Sequence, residues 1–554
     1  MSWFKSLAVA AALVDTASSD DEACEKLAQY VPESFALEEV VEGAEDVLEN
    51  APSAKPRDTS KARQQLLAVL ACLRCDDGRV RGTAAGQAAA LELSRIVAAA
   101  IAPVAAQDDD GPRKDEDIPA ALDEELKQAR RQLVEHCRSV SELGLKVLEA
   151  LIKQFSPGRL DDEVLLTLLA LTDEAQEWSN PEIATISGTL LEQYFNTGAL
   201  SKEQFITDTV LQRYLRPLFS RSKPASITAS GRKAAYADNS ATHGQIPDDT
   251  AVTKPWKYTD LRAIPAAAWA VHEADTQLVA KHWPLFIPVL LTLADDGATP
   301  IRRQGLLILA AFLSKFPDKT LHDTGLAQVF EDAVFPTLSF LPNLTPDDES
   351  VQLLVPAYAA LLTLAIKQPV VGKDGVVGGK KNELLDKMIR EGVFMGYFHA
   401  KEHVRIVEVL CRETVGILNE MGVHAVKHLK DLVPMLSSIL TDPFAPVSPA
   451  TLLAAIRALQ AVLANCWPRI PGSPWQDEII NALVLCWLHL AEHNRPFDDG
   501  GSVYTAIEQE LLTSSKALAA VLKTGSGEGA INLASHVAPL LAKEPRLGRL
   551  FSYN

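Results

Sequence analysis

The chain is short of positive charge, of aromatic rings and of cysteine, and each shortage removes a class of function. Its 53 lysines and arginines stand against 72 aspartates and glutamates, a formal net charge of −19 over 554 residues. Phosphate contacts need Lys and Arg to displace counterions, so direct nucleic-acid binding is not expected, nor is binding to an anionic membrane. Aromatics make up 6% of the chain while hydrophobic residues make up 47%. Apolar content carried by Ala, Leu, Val and Ile favours helices packed on helices, and it is too high for a mainly disordered chain. The cysteines Cys24, Cys72, Cys75, Cys137, Cys411, Cys466 and Cys486 are odd in number and sit mostly among Leu, Val and Ala. That pattern fits a reduced compartment better than a disulfide framework. No uninterrupted apolar run reaches the roughly 18–20 residues that cross a bilayer. The start, Met1 to Lys5 followed by Leu7 to Val14, has the outline of a short signal peptide. No small-x-small cleavage site follows it, and the acids from Asp20 to Glu25 read as a helix start. The expectation is a soluble intracellular protein, cytoplasmic first and nuclear second.

What is present is helical periodicity. Gln64 to Leu73, Ala88 to Ala102, Asp123 to Phe155, Glu163 to Leu171 and Pro181 to Phe195 place apolar residues three and four apart. Each is an amphipathic helix that needs a partner. Acidic or Pro- and Gly-containing breaks separate them at 49–59, 107–117 and 156–159. The largest change of composition runs from Arg221 to Lys254, which lacks an apolar period and is rich in Ser, Thr, Ala and Gly. It reads as a disordered central linker with serines open to phosphorylation. The expected organisation is therefore an N-terminal helical region, 1–220; a flexible linker, 221–254; and C-terminal HEAT-like helical repeats, 255–554.

Weak self-similarity supports the repeats. Pro288, Pro336, Pro434 and Pro539 each begin a Pro-x-Leu string expected to sit within an apolar helix. Their spacing is about one or two units of the ~40–47 residues of a HEAT-type helix pair. Candidate units between them are Leu384 to Met395 with Val404 to Leu418, and Ile479 to Leu490 with Val503 to Leu522. In the unit from Trp283, Asp295 and Asp296 occupy the turn, and Arg302 and Arg303 open the next helix. An acid in the turn facing an Arg on the second helix is an ion-pair arrangement common in HEAT repeats. The unit from Leu432 keeps Asp442 but has Val447 and Ser448 in place of the Arg, so the array is irregular. The fold class expected is all-α, an irregular HEAT-like α-solenoid, whose asset is an extended surface.

Each string that could carry chemistry has a plainer reading. His399-Ala-Lys-Glu402-His403 matches the H-x-x-E-H pattern of inverted zinc peptidases, but it lies near a helix-pair turn and lacks a third-ligand motif. His424 and His428 are less specific still. Cys72 and Cys75 form C-x-x-C without a second pair, and read as buried helical thiols. Residues 372–381 fail as a phosphate loop, because Asp374 stands where the first Gly belongs and Lys381 where Ser or Thr should hold Mg²⁺. Gly525 to Gly529 reads as a helix stop. Arg213, Arg216, Arg221, Lys223, Arg232 and Lys233 read as a solvated linker flank, with an acidic-partner dock or nuclear address as the sharper alternative. Trp256 and Lys257, just after the linker, are the candidate partner-binding residues. No catalytic residue, metal or cofactor is expected.

Four strings, in order, resemble the Tel-two-interacting protein two family. They are His282-Trp-Pro-Leu-Phe-Ile-Pro-Val-Leu-Leu-Thr-Leu-Ala-Asp-Asp296, Arg303-Gln-Gly305, Thr324-Gly-Leu-Ala-Gln-Val-Phe330 and Leu344-Thr-Pro-Asp-Asp-Glu-Ser350. Pro255-Trp-Lys257 and the linker before it look like fungal members. The resemblance is clear over about Pro255 to Ile366 and thinner onward to Ile470. It implies a non-catalytic, helical-repeat subunit of the three-protein TTT co-chaperone complex. The partners implied are that complex's two other large helical-repeat subunits. Through them come the ninety-kilodalton heat-shock chaperone machinery and the phosphatidylinositol-3-kinase-related kinases of checkpoint, telomere and growth signalling. Within the matched strings Asp295, Asp296 and Arg303 would tie one repeat together and Gly305 would let helices approach. The alternative is another helical-repeat adaptor, such as a nuclear transport receptor or a phosphatase-type scaffold.

Overall fold

The computed structural model describes residues 3–14, 19–48, 59–75, 86–103, 120–155, 159–220, 222, 249–368, 379–493, 501–524 and 532–551. Among them the protein is all-α: helices follow one another throughout and no β-strand forms. The expected loops 49–58, 107–117 and 156–158, most of the linker 221–254, residues 369–378 and Gly525 to Gly529 lie outside the described residues. The described chain gathers into two compact units, one up to Val289 and one from Leu290 onward.

In the first unit, the helices Thr59–Arg74, Gly86–Ile101, Ala120–Phe155, Asp162–Leu171 and Pro181–Asn196 match the five expected periods. Every residue from Val164 to Leu171 is buried, so this helix is enclosed on all sides. Local chemistry fixes its ends and those of the next helix. The Asp161 carboxylate accepts from the Glu163 amide at 3.1 Å, the Asn180 side chain accepts from the Ile183 amide at 2.7 Å, and Pro181 stands in the first turn. The N-terminal stretch is a packed helix, Trp3–Leu13, with Phe4, Leu7 and Ala11 buried and the Trp3 ring nitrogen donating to Glu39 at 2.7 Å.

One charged knot ties later residues of this unit to earlier ones. The Arg262 guanidinium bonds both oxygens of Asp260 at 2.9 Å and reaches back to Glu163 at 2.6 Å. It also lies 5.7 Å from the centre of the Tyr214 ring. Burial pushes the Asp260 carboxyl pKa up, but the hydrogen bonds and charge of Arg262 outweigh it and hold the group below its ordinary value. Tyr214 belongs to a π-helical stretch, Phe205–Leu215, that runs on into Arg216–Phe219.

In the second unit, five helices pack in succession: Thr299–Lys315, Asp347–Ile366, Val404–Met421, Pro449–Cys466 and Gly501–Lys523. Bonds between their ends fix their direction. At the N-terminal ends the Thr299 hydroxyl meets Glu349, His403 Nδ1 lies 2.8 Å from Asp347, and Arg405 pairs with Asp348. Thr451 Oγ1 donates to the Val404 carbonyl at 3.2 Å, and the Tyr504 hydroxyl donates to the Pro446 carbonyl at 3.1 Å. At the C-terminal ends Lys367 Nζ reaches the Phe316 carbonyl at 3.1 Å and Asn465 Nδ2 the Asn419 side chain at 3.0 Å. Start meets start and end meets end, so the five helices run parallel. A second layer includes Leu429–Leu440, which packs on Pro449–Cys466 and on Pro474–His493.

One expectation is corrected here. Pro288, Pro434 and Pro539 do lie inside α-helices, but Pro336 opens a short 3₁₀ turn, Phe335–Ser339. Three stretches, Thr276–Ala294, Asp347–Ile366 and Pro449–Arg469, are long and apolar enough to cross a membrane by length and composition, although none is an unbroken apolar run. More than half of each is buried against the rest of the protein.

Replacing Arg262 by Ala strands a largely buried carboxylate, a change that costs about 3 kcal/mol, the low end for a buried pair because Glu163 is exposed. The Asp260 share of that stability is complete above its unfolded pKa and is lost as pH falls through the lowered folded value. Chemical denaturation should show the Arg262→Ala deficit full at pH 7 and shrinking below about pH 4.

Candidate interaction surface

Because the five helices are parallel, the turns that precede them share one edge of the second unit. The first of these turns holds the residues singled out in sequence. Asp296 is buried, and its carboxylate accepts from the Ala298 amide at 2.9 Å, which shapes the turn. Arg302 closes it: Nε donates to the Asp296 carbonyl at 2.8 Å, Nη2 donates to the Asp295 carbonyl at 3.2 Å, and the guanidinium lies 4.6 Å from the Phe340 ring centre. The Asp295 carboxylate stands 3.9 Å from the same guanidinium. Arg303, named from the sequence for this part, is exposed, and its neighbour makes the bonds.

Gly305 lies one turn further along. A Cβ there would sit 2.5 Å from the Leu293 carbonyl carbon and 2.7 Å from the Ala294 nitrogen, both backbone atoms that cannot rotate away. Hydrogen at this position lets the helix Thr299–Lys315 press against the end of the preceding one. The next strings of the series serve the same build. Gly325, in the left-handed region at φ 69°, separates Asp318–Thr324 from Leu326–Val334, and Asp347, Asp348 and Glu349 fill the first turn of Asp347–Ile366.

Further along the edge, the His-x-x-Glu-His string does not form a single helical face. The helix Met395–Ala400 carries exposed His399, Glu402 falls in the turn, and His403 precedes the helix Val404–Met421 with its ring on Asp347. No group of three or more His, Cys, Asp or Glu side chains converges as a metal site among the described residues. His428 is buried, with Nε2 2.8 Å from Asp386. Cys72 is buried in Thr59–Arg74, and burial pushes its thiol pKa well up. Burial likewise pushes Cys411, Cys466 and Cys486 up to about 12. These thiols stay protonated at neutral pH.

Trp256 is turned inward. Its indole is fully buried, stacked on Phe219 with ring centres 4.9 Å apart and planes 9° apart, and its ring nitrogen donates to Ser222 at 3.0 Å. Lys257 pairs with Asp249 at 2.7 Å. Of the basic run, Arg213 pairs with Asp162 at 2.8 Å, Arg216 is exposed, and Arg221, Lys223, Arg232 and Lys233 lie outside the described residues.

The sequence reading passed over the apolar side chains on the turn edge. Four large apolar side chains described in the second unit are more than 60% exposed: Leu344 (88%), Phe398 (71%), Phe444 (76%) and Val447 (64%). Leu344, Phe444 and Val447 stand just before a helix of the row, and Phe398 is on the short helix Met395–Ala400 that leads into Val404–Met421. Phe444 and Val447 each follow a Pro, which marks a turn, whereas Leu344 and Phe398 carried no such signal.

The features define an all-helical protein with a parallel helical row and an apolar, turn-built edge. The chain belongs to the Tti2 family, whose model matches residues 164–447, just over half of the sequence. The match covers the turn of Asp295 and Asp296 and most of the edge, and it reaches back into helices before Arg221 that carried no motif. No solved structure matches the chain.

Gly305→Ala forces two backbones apart and should destabilise the second unit by about 1–3 kcal/mol, despite the better helix propensity of Ala. Arg302→Ala removes the donor from two turn carbonyls and should cost about 1–2 kcal/mol, whereas Arg303→Ala should stay within about 0.5 kcal/mol. Urea denaturation of the three variants gives the order; an Arg303→Ala loss larger than that of Arg302→Ala would reverse the assignment.

Proposed function

We propose that this protein is a non-catalytic scaffold subunit of the TTT complex. In that role it works with the ninety-kilodalton heat-shock chaperone machinery to support maturation and stability of phosphatidylinositol-3-kinase-related kinases. The observation that carries this reading is membership of the Tti2 family over just over half the chain. The all-helical build is consistent with a family of co-chaperone scaffolds.

The second unit supports a HEAT-like repeat reading. Its parallel helices begin at 299, 347, 404, 449 and 501, an irregular spacing of about one HEAT-type pair each. Stacked helix pairs of this kind leave long edges open to other chains. The acidic balance suits protein partners better than nucleic acid. The partners in this reading are the two other large helical-repeat subunits, with the chaperone and the kinases reached through them. The proposed sites of action are the cytoplasm and the nucleus. The proposed organisation keeps 221–254 as a linker between the region 1–220 and the repeats 255–554.

Affinity purification of the full chain, read by quantitative mass spectrometry, tests the proposal. It should recover the two other TTT subunits in near-equal amounts. Transport cargoes or phosphatase subunits in their place would assign the chain to another class of helical-repeat adaptor. Purified protein should carry far less than one zinc per chain, and a stoichiometric zinc lost in His403→Ala would make the chain a metalloprotein instead.

A further inference from the structure

We infer that the turn edge of the second unit docks an amphipathic helix of a partner protein, one whose apolar face is flanked by Lys and Arg. The inference rests on the function proposed above and says where and by what chemistry the partner is held.

The geometry comes first. Packed helices lie about 8–10 Å apart. The segments before Asp347–Ile366, Val404–Met421 and Pro449–Cys466 therefore space Leu344, Phe398 and the pair Phe444 and Val447 along some 16–20 Å of edge. That is the length of a helix of roughly 11–13 residues. Large apolar side chains this exposed mark a surface that another chain covers, and they exceed in exposure Ile366 (49%), Val423 (56%) and Trp467 (46%) at the opposite helix ends.

Charge selects the partner. Between the apolar groups Asp348, Glu402 and Asp442 are exposed and Asp347 and Glu349 half-buried, against Lys401 and Arg405 as exposed cations; the turn beyond Leu344 adds exposed Asp295 and exposed Arg303, which offset each other. Arg405 is already paired with Asp348. The edge is therefore apolar with a negative border, complementary to a Lys- and Arg-bordered apolar face. A second copy of this chain would set the same acids against each other, since a two-fold contact pairs a surface with itself. An anionic lipid surface is repelled for the same reason.

The edge is also a rigid template. His403 on Asp347, Thr451 on the Val404 carbonyl and Tyr504 on the Pro446 carbonyl hold successive turns together, so little ordering is needed on binding. Asp442 also shapes its own turn, its carboxylate accepting from the Phe444 amide at 2.8 Å, so the substitutions that test docking are made at Phe398, Phe444 and Glu402.

The test uses the full chain and the purified pair of other TTT subunits as the probe, with affinity measured by biolayer interferometry at two salt concentrations. Phe398→Asp with Phe444→Asp should weaken binding at least tenfold, with an unchanged circular-dichroism melting curve. Glu402→Lys should weaken it severalfold and flatten its salt dependence. Trp467→Asp, at the opposite end of the row and 46% exposed, should bind as wild type does. If wild-type chain binds the pair and the double Phe variant binds within twofold of it, the docking edge is wrong while the proposed function stands. If Trp467→Asp weakens binding equally, the edge is likewise wrong. A wild-type chain that does not bind the pair overturns both. Wild-type self-association that is lost in the double Phe variant would assign the edge to a second copy and overturn the inference.

Discussion

The helix Pro449–Cys466 hides side chains from Thr451 to Cys466 on two flanks, packed against Val404–Met421 on one and Gly501–Lys523 on the other. A helix with two apolar flanks cannot be satisfied by one neighbour, so it must sit inside a row. Successive members of the row run the same way, with intervening helices such as Leu429–Leu440 between them, and this gathers the described turns on one edge. Close approach is part of the same constraint: hydrogen at Gly305 lets the first member of the row seat against Leu293 and Ala294. The edge is thus a by-product of core packing, and what varies along it is free to serve recognition.

The two units spend charge differently. In the first, the largely buried Arg262–Asp260 pair reaches exposed Glu163 about a hundred residues away, and Lys146 and Arg63 on Asp20 join distant segments near the start. Such pairs are hard to break singly, because the partner left behind is desolvated. Along the edge of the second unit, exposed acids such as Asp348 and Glu402 contribute little to folding and shape the field a partner meets.

Helix positions could be read from apolar spacing because the signal is local. Glu163 to Leu171 was expected and Asp162–Leu171 is found; Val404 to Leu418 was expected and Val404–Met421 is found. The π-helical stretches Phe205–Leu215 and Met388–Phe394 left no such trace, since a change of backbone bonding shifts the apolar period only slightly. Arg302 and Arg303 differ by about 100° around the helix axis, and which of them faces the turn depends on how the helix is rotated by its neighbours. Trp256 could not be placed from its surroundings in sequence because Phe219, the ring it stacks on, precedes it across the whole of 221–254. The sequence places the His-x-x-Glu-His string near a helix-pair turn, and the helix does stop at Ala400. The exposed Phe398 and Phe444 escaped notice because exposure is a property of the packed molecule and not of the string.

A protein of the Tti2 family with this edge is best examined in the act of being held. Hydrogen–deuterium exchange on the full chain, free and bound to the two other TTT subunits, is the most direct measurement. The account predicts new protection centred on residues 344–348, 398–405 and 442–448, with the opposite helix ends near 366, 421 and 467 unchanged. Protection confined to those opposite ends, or none in the second unit on a chain that is fully bound, would contradict it.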